Sequence, residues 1–168
     1  MKFVVDGMLG KLAKWLKILG FDVVFLNRAS DADLLSSARR EKRILLTRDH
    51  RLFASAGKSR ALLVASEKWP EQLAQVLDAF GLRSAVRPYS RCLNCNARLR
   101  RLPRERARNL VAPFVSERAS SFAICPHCGR VFWPGTHYAD MEARIREIFR
   151  TGAAAGKEAR VKTGKAKR

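Results

Sequence analysis

Apolar residues in the first half of the chain alternate between short continuous runs and helically spaced positions. Residues 2–5 predict a strand that ends at the turn Asp6-Gly7. Over residues 8–19, Leu9, Leu12, Ala13, Leu16 and Leu19 recur at helical spacing with Lys11, Lys14 and Lys17 opposite, and Gly20 stops the helix. Residues 22–26 form a second strand, rich in Val and Phe. Ser30-Asp31-Ala32-Asp33 has the form of a helix start, with Leu34, Leu35 and Ala38 on the buried side of that helix. Residues 43–47 and 61–64 predict a third and a fourth strand, and residues 71–80 an amphipathic helix. This strand–helix alternation predicts an α/β fold, a parallel sheet flanked by helices.

Composition extends this picture. A chain of 168 residues, 47% hydrophobic, holds one domain of modest size plus a smaller appendage. Its formal charge of +19 is self-repelling, and a polyanion such as RNA or DNA is the partner that best offsets it. No apolar run reaches the roughly 20 residues that cross a bilayer, and the acid at position 6 interrupts any signal peptide. These features predict a cytoplasmic protein, with no membrane partner and with reduced cysteines. Arg87-Pro88-Tyr89 breaks any preceding helix, and all four cysteines lie beyond it. Residues 1–88 are therefore expected to form the first domain and residues 89–150 a second. Residues 151–168, with six basic groups, one acid and almost no large apolar side chain, are expected to form a disordered basic tail.

In open parallel sheets, chemistry gathers outside the carboxyl ends of the strands. Asp6 comes after the first strand, Asp49 after the third, and Asp31 and Asp33 open the helix after the second. Each has a plainer reading: Asp31 or Asp33 as a helix cap, Asp6 as turn chemistry, Asp49 as a cap for the segment after His50. Together the four predict a carboxylate site. Such a site suits a hard divalent cation, Mg or Mn, with one or two ions serving phosphodiester hydrolysis. Lys11, Lys14, Arg48, His50 and Arg51 flank the acids, and Lys11, Lys14, Arg48 and Arg51 are candidates for contact with a nucleic-acid backbone.

The cysteines form two C-x-x-C knuckles, Cys92/Cys95 and Cys125/Cys128, separated by 29 residues. Four thiolates at this spacing suit a tetrahedral structural zinc. Cys125-Pro-His-Cys128 alone also has the form of a redox motif, but the matching first knuckle favours zinc. His127 and His137 are spare ligands, expected to be surface or packing residues. A module of this size depends on metal to stay folded. Between the knuckles, Arg98, Arg100, Arg101, Arg104, Arg106 and Arg108 form a basic stretch, of which Arg98, Arg100 and Arg101 are the leading nucleic-acid candidates. Phe132, Trp133 and Tyr138 are available to stack on bases or to pack the module.

Several segments resemble one family. They are Phe3-Val-Val-Asp6-Gly-Met-Leu-Gly10-Lys-Leu-Ala-Lys-Trp15, Ser30-Asp31-Ala-Asp33-Leu-Leu, Ile44-Leu-Leu-Thr47-Arg-Asp49, Arg91-Cys92-Leu-Asn-Cys95-Asn96 and Cys125-Pro-His-Cys128-Gly-Arg-Val-Phe-Trp133. In this order they are similar to the PIN-like domain that carries a zinc ribbon, the Mut-seven C-terminal ribonuclease family. The resemblance spans about residues 1–149 and implies a PIN-like fold with metal-dependent ribonuclease activity. It places Asp6, Asp31, Asp33 and Asp49 at the family's acidic positions. The further acid common in PIN nucleases has no counterpart in residues 61–65, where Glu67 is the nearest substitute.

The sequence thus predicts a ribonuclease whose Asp6, Asp31, Asp33 and Asp49 hold Mg or Mn, with a zinc ribbon on Cys92, Cys95, Cys125 and Cys128 that grips RNA. The alternative is a non-catalytic protein that binds RNA or a ribonucleoprotein, its acids serving as caps and turns. A thiol oxidoreductase resting on Cys125-Pro-His-Cys128 is the third reading.

Overall fold

The computed structural model describes residues 1–161 apart from 58, 59 and 137, with side chains through residue 150. Strands β1 (Lys2–Asp6), β2 (Asp22–Leu26), β3 (Ile44–Thr47) and β4 (Ala61–Leu63) form one sheet in the order β2-β1-β3-β4, with every neighbouring pair parallel. Helices α1 (Gly10–Ile18), α2 (Asp31–Arg40), α3 (His50–Ala56) and α4 (Trp69–Ala79) alternate with the strands. The expected parallel sheet with flanking helices is the fold the chain adopts.

Side-chain alternation explains the layering. Phe3 and Val5 join Leu12, Leu16, Leu73 and Leu77 of α1 and α4 in one core, whereas Val4, between them, joins Leu34 and Ala38 of α2 and Leu52 of α3 in the other. Both faces of β1 are covered, so Phe3, Val4 and Val5 are all fully buried and read as a continuous apolar run. Trp15 stacks on Trp69 with ring centroids 4.7 Å apart and planes 3° from parallel, joining α1 to α4. Such a pair contributes about 0.5–1.5 kcal/mol beyond area burial.

Two boundaries differ from expectation. The helix expected from residue 8 begins as a 3-10 turn, Gly7–Leu9, and becomes α-helical at Gly10. A Cβ on Gly7 would lie 2.7 Å from the Asn27 carbonyl oxygen, so the chain turns tightly beside the β2 loop. Helix α3 was not among the predicted elements. It is short, with Leu52 its one fully buried residue, and too brief for periodicity to reveal.

The second half holds an antiparallel sheet of β5 (Arg100–Leu102), β6 (Phe122–Ile124) and β7 (Val131–Phe132), in the order β5-β6-β7. Short helices α5 (Arg104–Ala107) and α6 (Pro113–Arg118) cover one of its faces around Leu102, Ala107, Val115, Ala119 and Phe122. The final helix, α7 (Tyr138–Val161), returns to the first half. Its Ile145 and Ile148 are buried in the same core as Leu73 and Leu77, with Met141 and Phe149 beside them. Arg83 secures the contact: it donates to the Ile148 carbonyl at 3.4 Å, pairs with Asp78 at 2.6 Å and lies over the Phe149 ring. The backbone of α7 thus enters the segment expected to be a tail, while residues 162–168 of that segment lie outside the described residues. Among the described residues, no helix is long and apolar enough to cross a membrane.

Candidate active site and metal centre

The strand order reverses direction between β1 and β3, since β2 lies on one side of β1 and β3 with β4 on the other. Loops leaving β1 and β3 therefore part company there, at the carboxyl end of the sheet, where open α/β sheets carry their sites. Asp6 is the last residue of β1 and Thr47 the last of β3, and the Val5–Leu46 register sets them side by side. The buried Thr47 hydroxyl donates to Asp6 Oδ2 at 2.8 Å and accepts from the Asp49 backbone N–H at 3.0 Å. One hydroxyl thus joins the first acid to the loop that carries the second.

Each aspartate also answers a local backbone demand. Asp49 caps α3, its Oδ1 accepting from the Arg51 N–H at 2.6 Å and the Leu52 N–H at 3.0 Å. Those two amides, with the positive charges of Arg51 and His50, hold its carboxyl below the usual range. Asp33 folds back on Ser30 in a reciprocal capping box: its Oδ2 accepts from the Ser30 hydroxyl at 2.7 Å and N–H at 3.1 Å, and its own N–H donates to the Ser30 hydroxyl. These bonds, the hydroxyl first, keep its carboxyl below the ordinary value. Asp31 is exposed in the first turn of α2. Asp6 closes β1, Asp49 follows the end of β3 by two residues, and Asp31 and Asp33 open α2 after the loop that leaves β2. The convergence is looser than a shared ligand cage, however. Among the described residues, no three acidic or histidine side chains cluster closely enough to hold a metal ion between them. Asp33 is turned back toward Ser30 and one oxygen of Asp49 is held by helix amides. The remaining oxygens, Asp6 Oδ1 and Asp49 Oδ2, have no hydrogen-bond partner among the described residues.

The flanking cations divide. Arg48 is engaged with Glu67 at 2.7 Å, so the acid nearest the end of β4 is paired rather than free. Lys11, Lys14 and Arg51 are exposed. Lys11 lines an open groove of about 590 Å³ beside Met8, Glu67, Lys68 and Trp69, at the starts of α1 and α4. Thr47 is the residue that sequence reasoning left without a role. A strand-terminal Thr two residues before the cap Asp was the available signal, but the register that brings it to Asp6 was not.

The cysteines do form a cage. The sulfurs of Cys92, Cys95, Cys125 and Cys128 all lie within 4.8 Å of one another, with Cys92–Cys128 at 3.6 Å and Cys95–Cys125 at 3.3 Å. A tetrahedron with arms of about 2.3 Å has edges of about 3.8 Å, so the donor set fits a metal such as zinc with little adjustment. The two knuckles repeat one backbone pattern. The N–H groups of Cys92 and Cys125 donate to the Ala97 and Arg130 carbonyls, and their carbonyls accept from Asn96 and Gly129. Asn96 and Gly129 both adopt positive φ, 64° and 72°. Burial pushes the Cys125 thiol up, but the amides of Cys128 and His127 outweigh it and bring the group to about 6. Its partner Cys95 is pulled down by the Ala97 amide yet pushed by burial and its sulfur neighbours up to about 12. His127 is exposed, and His137 lies outside the described residues.

The first knuckle is tied to the opposite end of the parallel sheet. Asp22, which opens β2, pairs with Arg43 at 2.6 Å and Arg91 at 3.3 Å, and accepts from the Asn96 amide at 3.4 Å. Burial raises the Asp22 carboxyl, but the Arg43 hydrogen bond, with the charges of Arg43 and Arg91, holds it below its ordinary value. Arg91 also donates to the Gly20 and Asn96 carbonyls. Gly20 permits this approach: its φ is +91°, and a Cβ there would lie 2.2 Å from the Arg87 carbonyl oxygen.

A family model described as Mut7-C RNAse domain matches residues 1–145. No curated protein and no solved structure matches the chain.

Proposed function

The chain belongs to the Mut7-C RNAse domain family, and from that premise we propose that it is a metal-dependent ribonuclease whose hydrolytic site lies between the carboxyl ends of β1 and β3. The observation that carries this reading is the Asp6–Thr47–Asp49 chain of hydrogen bonds at the point where the strand order reverses. Hard oxygen donors suit Mg or Mn, which accept one or two carboxylates and fill the remaining positions with water. Asp6 and Asp49 would supply those carboxylates, with Asp31 and Asp33 as outer acids at the same edge. When bound, the ion supplies activation of water and neutralisation of phosphate charge. Thr47 fixes the Asp6 carboxylate, and the α3 amides fix that of Asp49, so neither side chain must be ordered when substrate arrives. Lys11, Lys14 and Arg51, with Arg98, Arg100 and Arg101 of the ribbon, would draw in the RNA backbone, and zinc on the four cysteines would hold the ribbon folded. This activity belongs in the cytoplasm, on free RNA or on a ribonucleoprotein.

The test is cleavage of a panel of single-stranded and structured RNAs with Mn. Asp6→Asn and Asp49→Asn should each abolish products while the chain stays folded, and Thr47→Val should lower the rate about 10- to 100-fold, the range lost when a ligand's supporting partner is removed. Undiminished cleavage by the purified aspartate variants would refute the assignment. One observation favours a second reading: Asp33 and Asp49 both work as helix caps. If the chain binds RNA tightly and yields no metal-dependent products, it is a non-catalytic RNA-binding protein.

A further inference from the structure

Outside the acid edge, the ribbon sheet has one face that its own helices leave uncovered. In the β5–β6–β7 register, Arg101 lies opposite Ala123 and Ala123 opposite Phe132. Cross-strand partners project to the same side, so this row shares one face, opposite the Leu102 and Phe122 core. The small methyl group of Ala123, set between a guanidinium and an aromatic ring, leaves a depression. It continues into a cavity of about 240 Å³ lined by Leu99, Ala123, Phe132, Trp133, Tyr138 and Met141. That volume lies below the roughly 300 Å³ at which drug-sized sites begin and suits a single flat ring system. Trp133 is 41% exposed, unusual for an indole beside an otherwise packed module. Tyr89 and Tyr138 close one side, their rings 4.7 Å apart. A neighbouring groove shares Ser121 and Phe122 with the cavity and is lined by Arg101. Arg98, Arg100 and Arg101 are exposed and have no ion-pair partner among the described residues.

We propose that this face of the ribbon holds one unpaired nucleobase of single-stranded RNA, seated over Ala123 against Phe132 and Trp133, with Arg101 on the adjoining phosphate. The proposal rests on the RNA-binding part of the reading above and adds a strand preference to it. An aromatic cavity with the unpaired Arg101 guanidinium beside it matches the two faces of a nucleotide, a flat apolar ring and an anion. A base within a duplex is stacked on its neighbours and cannot enter, so the site selects single strands.

Binding is measured on the full chain carrying Asp6→Asn and Asp49→Asn, so that cleavage cannot confuse the readout. The probes are a labelled single-stranded RNA, the same strand with one abasic position stepped along its length, and the matching duplex. Trp133→Ala and Ala123→Leu should each weaken single-strand binding roughly 5- to 150-fold, the range one base–aromatic stack supplies, and leave duplex binding and zinc content unchanged. Trp133→Phe should restore most of the affinity. Arg101→Ala should lower the salt dependence by about one phosphate contact, whereas Trp133→Ala should not. Abasic substitution at one position should match the loss in Trp133→Ala, with no further loss when the two are combined. Equal single-strand affinity in wild type, Trp133→Ala and Ala123→Leu would overturn the proposal, as would equal losses on single strand and duplex. Absence of all RNA binding would overturn both this proposal and its parent. RNA binding without cleavage by the unsubstituted chain would remove the nuclease reading and leave this one standing.

Discussion

The two halves of the molecule meet the same requirement, enough cohesion to repay chain entropy, by different means. The parallel sheet sits between two apolar cores, and the larger joins β1, β3, α1, α4 and α7. The cysteine module has five buried residues in its core and strands of two or three residues. Its other source of order is the sulfur cage, with two matching backbone loops around it. The sheet half is therefore expected to absorb local losses, and the ribbon to depend on one small site. Between them lies a polar junction, Asp22 with Arg43, Arg91 and Asn96, where charge takes the place of apolar area.

Removing the metal should break this comparison open most widely. A chelator, or Cys95→Ser, should release one zinc ion per chain and abolish amide-exchange protection over residues 100–102 and 122–124. Protection in β1 and β3 should survive. A single transition in which both halves lose protection together would show that the ribbon does not depend on its own site. The next largest effect belongs to the junction. Asp22→Asn leaves Arg43, whose side chain is 8% exposed, without its closest carboxylate. The cost should be about 2–3 kcal/mol by denaturant unfolding, below the roughly 3–5 kcal/mol of a fully buried pair because Asp22 reaches solvent. The pH dependence is set by the sign of the Asp22 shift. A carboxyl depressed in the folded state contributes fully above its unfolded value near 4 and loses that contribution as pH falls through the lower folded value. Stability should thus decline below about pH 4 in the wild type, and less steeply in Asp22→Asn. Identical acid slopes would remove Asp22 from the account. The smallest effect is expected at the α2 capping box, where Ser30→Ala should cost about 1 kcal/mol with zinc content unchanged.

Much of the sheet half was legible because burial on both faces writes itself into the strands. The runs at residues 2–5, 22–26, 43–47 and 61–64 mark β1 to β4 within a residue or two. The strand-end acids were legible for the same reason, since topology alone sends them to one edge. The knuckles were legible from spacing, and the sulfur cage agrees. Long-range register could not be read. Nothing local shows that Thr47 will meet Asp6, that Asp22 will pair with Arg91 across 69 positions, or that α7 will leave the ribbon and complete the first core. The capping roles of Asp33 and Asp49 were visible as alternatives, and both geometries are realised. A cap can still face a ligand with its second oxygen, so the two readings of Asp49 coexist.

The return of α7 has a consequence for biosynthesis. Arg83 meets the Ile148 carbonyl 65 positions later, so at roughly 5–20 residues per second a ribosome needs about 3–13 s to deliver the missing wall of the first core. During that interval the nascent α4 surface around Leu73 and Leu77 is open to holdase chaperones and to proteases. Both cysteine knuckles emerge within that interval, ahead of the closing helix. A chain terminated after the second knuckle would thus lose more than an appendage: its amino-terminal half would remain unfinished.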